Sequence, residues 1–399
     1  MKNRFVFPAA FLAVLLCTPP VAYGQFDQAQ PTPASQAKAA ALPQGLQGSQ
    51  TGSSYPATGN ASAITLDVVV TDKSGAPVAG LEPGEFKLLD NKQPQSLVSV
   101  RFVNGMTAEA DPPVEAIVLV DAINATFLPV ANERQWLANL FKENDGELAL
   151  PTSLILLTDR GMRIQNHPSR DGKVLMQFLD SNTTGLRSIV RSEGREGALE
   201  REQASLDALG YLVLQAARKP GRKLLIWVIP GWQLFSNPSW DGGPKDEKIL
   251  FNYIVSLSTA LRAARMTVYS IDPAGAGRGQ FYYQNYLKDV DAPKHADYGD
   301  LFLEVLATQT GGQVLFANNY IASMIDQCIA DAKAYYVLTF NPPPASHPNE
   351  YHSLEVQVDK PGLRARTRTG YYAEPTTSAE PSFPSVSLPM VREAQSQSF

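Results

Sequence analysis

The sequence predicts an α/β protein: a mostly parallel sheet with helices on both faces, flanked by a small β-sandwich built from N- and C-terminal strands. Three observations predict it. From Pro113 onward, short apolar runs alternate with stretches of helical periodicity, the pattern of repeated βα units. The runs are continuous, as in Ala116-Ile117-Val118-Leu119-Val120, which is how a strand buried on both faces reads. On either side lie strand-like segments too few to make a core alone.

The elements follow in order. Residues 1–24 combine a basic start, Lys2 and Arg4, with an apolar run from Phe5 to Cys17 and small residues at Ala22 and Gly24. That is an export signal, and it predicts a periplasmic or extracellular protein. Residues 25–63 are rich in Gln, Ser, Pro, Ala and Gly without periodicity and read as a disordered linker. Residues 64–105 are the first part of the sandwich. Ile64 to Val70 alternates, Asp72-Lys73-Ser74-Gly75 is a turn signal, and Phe86–Leu89 and Leu97–Phe102 read as two strands around a turn at Asp90-Asn91.

The α/β domain spans residues 113–333. Strands are predicted at 115–121, 153–158, 162–166, 223–229, 267–271 and 313–317, with helices near 131–142, 171–180, 198–218, 245–264, 299–309 and 320–333. The helices rest on spacing: Leu206, Leu209, Val213 and Ala216 share one face, as do Ile249, Tyr253, Leu257 and Leu261. Residues 334–373 supply the second part of the sandwich: Tyr335–Phe340, Ser353–Val358, and one run from Leu363 to Tyr371 with Arg364, Arg366 and Arg368 on one side. Residues 374–399 read as a disordered tail. Because neither strand group suffices alone, the two are expected to share one sandwich with the α/β domain inserted between them.

Composition narrows the function. The 44% hydrophobic and 18% charged content is that of a globular protein. Loss of residues 1–24 takes the net charge from −5 to −7. An acidic chain with dispersed Lys and Arg is not built for nucleic acid. No later apolar run reaches membrane-spanning length. Only Cys328 remains after the signal, so no intrachain disulfide is available. Its neighbours Ile321, Met324, Ile325 and Ile329 place it on an apolar helix face, as a buried structural thiol.

The strongest site signal is Asp121, where the first parallel strand ends. Open α/β sheets bind ligands outside the carboxyl ends of their strands. Asn124 and Thr126 follow at once. The alternative is that Asp121 accepts backbone N–H bonds in its own loop. A loop after the strand ending at Ile229 holds Trp232, Phe235 and Trp240, and another after Asp272 holds Tyr282, Tyr283 and Tyr286. Aromatics in such loops form recognition surfaces for protein or glycan, or fold back as packing. Gly275, Gly277 and Gly279 do not complete a dinucleotide fingerprint, and no Walker motif is present. The four histidines, His167, His295, His347 and His352, sit in no hydrolase or zinc-protease motif.

Taken together, the chain resembles the von Willebrand factor type A (VWA) family, and more narrowly the exported VWA-related proteins of acidobacteria. The resemblance runs from Ile64 to Ala373. It rests on Val70-Thr71-Asp72-Lys73-Ser74-Gly75-Ala76-Pro77-Val78 with Gly80-Leu81 and Glu85-Phe86, on the strand ending at Asp121, and on Lys360-Pro361-Gly362-Leu363 to Gly370-Tyr371-Tyr372-Ala373. It implies a metal-ion-dependent adhesion site, Asp-x-Ser-x-Ser plus a Thr and a second Asp. Asp121 matches the first position, but Ile123 and Ala125 replace the serines. Asn124 and Thr126 are one residue out of register. Pro230-Gly231-Trp232 stands where the second Asp belongs, and Thr183 or Thr184 could supply the Thr only by loop position. One secure carboxylate is a poor site for Mg²⁺, so the expected cofactor is none.

The resulting expectation is an exported, non-enzymatic interaction or adhesion protein with a degenerate metal site. It would bind a protein partner, or a glycan, through Asp121, Asn124, Thr126, Trp232, Phe235, Trp240, Tyr282, Tyr283 and Tyr286. The alternatives are Mg²⁺-dependent adhesion through Asp121 and a hydrolase of unknown substrate.

Overall fold

A computed structural model describes residues 63–375 except 108–109, 125–126, 159–160, 166, 183–194, 229–242, 273–282 and 317–320. The described residues all belong to the unit Thr58–Phe399. The predicted signal lies outside them, as do the predicted linker apart from Ala63 and the predicted tail apart from Glu374 and Pro375.

The central sheet is built from β5 (Val114–Asp121), β6 (Glu147–Thr158), β7 (Gly161–Ile164), β9 (Arg222–Val228), β10 (Met266–Asp272) and β11 (Val314–Phe316), with β8 (Ser169–Asp171) pairing β6 beside them. The spatial order is β11-β10-β9-β5-β6-β7. All pairs along it are parallel except β6 with β7. This is the doubly wound order, in which successive strands add outward on one side of β5 and then on the other. Its switch point lies between β5 and β9.

Side-chain alternation assigns the faces. On β5, Ile117 and Leu119 enter one core while Ala116, Val118 and Val120 enter the other; on β9, Leu225 and Trp227 oppose Leu224, Ile226 and Val228. The first core is closed by α3 (Arg195–Ala217), α4 (Pro244–Ala263) and α5 (Leu303–Gln309), the second by α1 (Phe127–Leu140), α2 (Gly172–Ser181) and α6 (Ile321–Ala330). The predicted face of α3 is buried at Leu206, Leu209, Val213 and Ala216. On α4 the buried face turns toward Leu250, Ile254, Leu257 and Leu261, leaving Ile249 and Tyr253 half-buried. The predicted helix 299–309 is two pieces, a 3-10 turn at Tyr298–Leu301 and then α5. Cys328 is fully buried on α6, where burial pushes its thiol well up.

The remaining strands form two four-stranded antiparallel sheets. The first runs β14 (Arg364–Arg366), β1 (Ile64–Thr71), β12 (Tyr335–Phe340), β4 (Leu97–Val103). The second runs β15 (Gly370–Ala373), β13 (Glu350–Val358), β2 (Phe86–Asp90), β3 (Gln93–Gln95). Each mixes N- and C-terminal strands. Two expectations change here. Phe86–Leu89 and Leu97–Phe102 are not partners: Asn91 and Lys92, both at positive φ, turn β2 back onto β3, and β4 crosses to the other sheet. Positive φ at both turn residues suits the tight two-residue hairpin. The run Leu363–Tyr371 is likewise cut in two. β14 pairs β1, and after Thr367–Thr369 β15 pairs β13.

On β1, Ile64, Leu66, Val68 and Val70 face the sandwich core, while Val69 packs into the α/β domain and Asp67 pairs with Arg265. On β12, Tyr336, Leu338 and Phe340 face the sandwich and Tyr335 and Val337 the α/β domain. The contacts on the α/β side come from residues that precede or open its strands. Arg222 lies over the Tyr335 ring at 4.6 Å, Arg265 holds Asp67, and Arg366 donates to Asp331 at 2.6 Å and to the Gly311 carbonyl. Gly311 has φ +83°, and a Cβ there would lie 2.6 Å from the Thr367 carbonyl carbon, so only glycine permits this approach. The sandwich therefore sits at the amino edge of the parallel sheet.

Deleting residues 334–373 removes β12, the strand between β1 and β4. Limited proteolysis should then cleave residues 64–103 at least tenfold faster than in the full chain; unchanged protection would contradict the shared sandwich.

Candidate functional site

Asp121 occupies the last position of β5, on the side of Ile117 and Leu119 and hence on the face covered by α3. Leu119 lies in register with Trp227 on β9, so the indole reaches the carboxylate across the switch point. Asp121 is fully buried. Its Oδ1 accepts the backbone N–H groups of Ile123 at 2.9 Å and Asn124 at 3.0 Å; its Oδ2 accepts Asn124 Nδ2 at 2.9 Å and Trp227 Nε1 at 3.1 Å. Asn124 Nδ2 also donates to Ser205 Oγ at 2.9 Å, and that hydroxyl donates to the Arg201 carbonyl at 3.0 Å. Asp121 thus ties its own loop, β9 and α3 together.

The local geometry follows from residue chemistry. An aspartate can accept N–H bonds from two and three residues ahead and so closes a turn on itself. A buried indole N–H needs an acceptor, and Asp121 supplies it. Burial pushes the Asp121 carboxyl above the usual range, while the bonds from Asn124, Trp227 and Ile123 pull it back. Each of the four donors presents the positive end of an N–H dipole to the carboxylate. Such a ring complements an anion; a cation at either oxygen would meet that positive end and would have to displace a donor. Among the described residues no three His, Cys, Asp or Glu side chains converge on a point that could hold a metal.

Of the predicted site residues, Asp121 and Asn124 are joined directly. Thr126, Trp232, Phe235, Trp240 and Tyr282 lie outside the described residues, as do Ala125, Thr183, Thr184 and Pro230. Tyr283 and Tyr286 bound a 3-10 turn. Tyr286 lies in T-shaped contact with Phe302, ring centroids 5.4 Å apart, and a Cβ on Gly299 would sit 2.1 Å from its ring. That ring is engaged in packing. Tyr283 is half-buried, with its hydroxyl raised by burial and by nearby Glu304. Sequence reasoning missed Trp227 and Ser205. Their signals were a Trp within an aliphatic strand, whose N–H needed an acceptor, and a serine beside the apolar stripe of α3.

Of the histidines, His347 is exposed, and His295 pairs with Asp291 at 2.5 Å. His352 is buried in the sandwich. Its Nδ1 lies 2.7 Å from Asp90 Oδ1, whose other oxygen accepts the Tyr371 hydroxyl at 2.6 Å. Among the described residues, no described histidine lies beside Asp121.

One turn before Ser205 on α3, Glu202 is 6% exposed and its Oε1 is buried without a hydrogen-bond partner among the described residues. Burial pushes its carboxyl up to about 7. Asp300 is also raised to about 7, mainly by burial.

No protein-family profile matches the chain, and no curated protein matches it. Among solved structures, the VWA domain of SpRpn10 aligns with 53% of this chain and 94% of its own, at 10% identity and a TM-score of 0.29. The N-terminal domain of TFIIH p34 aligns with 40% of this chain and 80% of its own, at 10% identity and a TM-score of 0.24. The strand order and register define the class: a doubly wound, mostly parallel α/β domain with an antiparallel edge strand, joined to an antiparallel sandwich.

Two outcomes are expected. Asp121→Asn keeps one oxygen for the loop amides but turns an NH₂ toward Trp227 Nε1 and Asn124 Nδ2. Urea denaturation should show a loss of roughly 1–3 kcal/mol, the range for leaving a buried donor unsatisfied. Glu202 holds a proton in the folded chain that the unfolded chain releases above its ordinary value of 4.5. Its contribution is therefore full below about 4.5 and falls as pH rises through about 7. Glu202→Gln should leave stability at pH 5 nearly unchanged and raise it at pH 8 by roughly 2 kcal/mol; equal effects at both pH values would refute the assignment.

Proposed function

We propose that the protein is an exported, non-enzymatic interaction protein whose VWA-like α/β body binds a protein partner at the carboxyl edge of its parallel sheet. In this reading the Asp121 loop is a degenerate metal-ion-dependent adhesion site that works without a cation. The observation that carries the reading is the four-donor ring on Asp121. Internal N–H groups take the oxygens that a metal-bound adhesion site would offer to its ion.

Two further observations support it. The doubly wound sheet agrees with the mostly parallel sheet that the VWA resemblance implies. The sandwich occupies the amino edge of that sheet and, among the described residues, leaves the opposite edge, where Asp121 lies, to its own loops and a partner. Export rests on residues 1–24. Among the described residues no helix is long and apolar enough to cross a membrane.

The test is crosslinking and pull-down from the native envelope with the wild-type chain and with the variant carrying both Trp232→Ala and Trp240→Ala. The expected result is loss of the captured partner in the variant, with the same thermal stability. Capture of the same partner by both would place the interface elsewhere. Titration with Mg²⁺ and Mn²⁺ in a calorimeter should give no binding heat; saturable heat that Asp121→Ala abolishes would restore the cation reading.

A further inference from the structure

Away from the Asp121 edge, α3 leaves a cleft of about 290 Å³ over the sheet. Its floor is Ile117, Ile155 and Ile164, one from each of β5, β6 and β7; its wall is Tyr211, Leu212 and Ala216 on α3. The volume is near the lower end for small-molecule sites, ~300 Å³. The sheet gives the reason: β7 extends the floor past the part of β5 and β9 on which α3 packs.

Glu115, Ser153, Lys219 and Lys223 also line the cleft. Glu115 is already engaged, since Ser153 Oγ donates to its Oε1 at 2.9 Å and Lys219 Nζ lies 3.8 Å from its Oε2. Lys223 is different. It is 2% exposed, and its Nζ donates to the carbonyls of Lys219 and Gly221, the latter at 3.0 Å. An ammonium carries three donors, and the third has no acceptor among the described residues. Two cations face one carboxylate here. Burial pulls Lys223 down to about 8, the response of a buried ammonium short of counter-charge.

We infer that this cleft binds a small aliphatic monocarboxylate, with its carboxylate on Lys223 and its chain between α3 and the isoleucine floor. The charge at the polar lining selects an anionic head, and the isoleucine floor selects an apolar body. This site is independent of the carboxyl-edge interface, because Glu115 and Lys223 lie at the opening of their strands.

The experiment is titration of the full chain with octanoate, followed by methyl NMR of isoleucine and by calorimetry, with octan-1-ol and octylamine as head-group controls. Octanoate should bind saturably and shift the Ile117, Ile155 and Ile164 methyls, and both controls should bind at least tenfold more weakly. Ala216→Phe, which fills the wall side of the cleft, should weaken octanoate at least tenfold. Lys223→Met should erase the preference for octanoate over octanol. The wild-type methyl shifts decide the question even if a variant fails to fold. Absence of saturable binding, equal binding of the three compounds, or shifts confined to other methyls would overturn the assignment.

Discussion

The two central strands of the first antiparallel sheet, β1 and β12, are buried on both faces, and the rest of the molecule is arranged around that constraint. β1 and β12 place even-numbered side chains in the sandwich core and odd-numbered ones against the α/β domain. A sheet of this kind is a wall shared by two cores, and neither core closes without it. The chain must therefore deliver strands from both its early and its late segments to the same sheet. Polar groups on the wall have to be paired too. Asp331 Oδ2 accepts Tyr269 Oη at 2.7 Å, the Arg366 guanidinium at 2.6 Å and Gln313 Nε2 at 3.3 Å, while its carbonyl accepts Arg222. Buried ion pairs of this type fix geometry more than they add stability, and losing one partner is costly.

Anchoring the parallel sheet by its amino edge decides where chemistry can be placed. Every parallel strand runs away from the wall, so their carboxyl ends share the far edge. Asp121 lies there at the switch point, and its hydrogen bonds span the crevice that the strand order opens. Trp227 comes from one side of that crevice, the loop from the other, and Ser205 from the helix above. The residue type that in a metal site would coordinate an ion serves as an internal hydrogen-bond acceptor. The difference lies in the neighbours: Ile123 contributes only its backbone N–H, and Asn124 turns its amide nitrogen toward the carboxylate.

Much of the architecture was legible because hydrophobic periodicity is a local signal. The strand ending at Asp121, the strand at Tyr335–Phe340 and the helix bearing Leu206 to Ala216 could be read from spacing alone. What could not be read depends on pairing across the chain. Nothing local says that β4 leaves β2 for β12, or that three residues, Thr367–Thr369, carry the chain from one sheet to the other. At the site, Asp121 and Asn124 were visible as polar residues ending an apolar run. Trp227 and Ser205 were hidden because their role depends on register between β5 and β9 and on which face α3 covers. Sequence also suggested Tyr286 for recognition; its ring packs on Phe302 over Gly299 while the residue stays part-exposed, a placement that depends on contacts across the chain.

The interleaved strands have a mechanical consequence. The described chain enters at Ile64 in one antiparallel sheet and leaves after Ala373 in the other. Covalently, the α/β domain joins the sandwich through the segments between β4 and β5 and between α6 and β12. A pull applied at the two ends of the described chain loads the sandwich first, strand against strand. The Asp121 edge lies at the other end of the parallel strands from the sheet that takes this load.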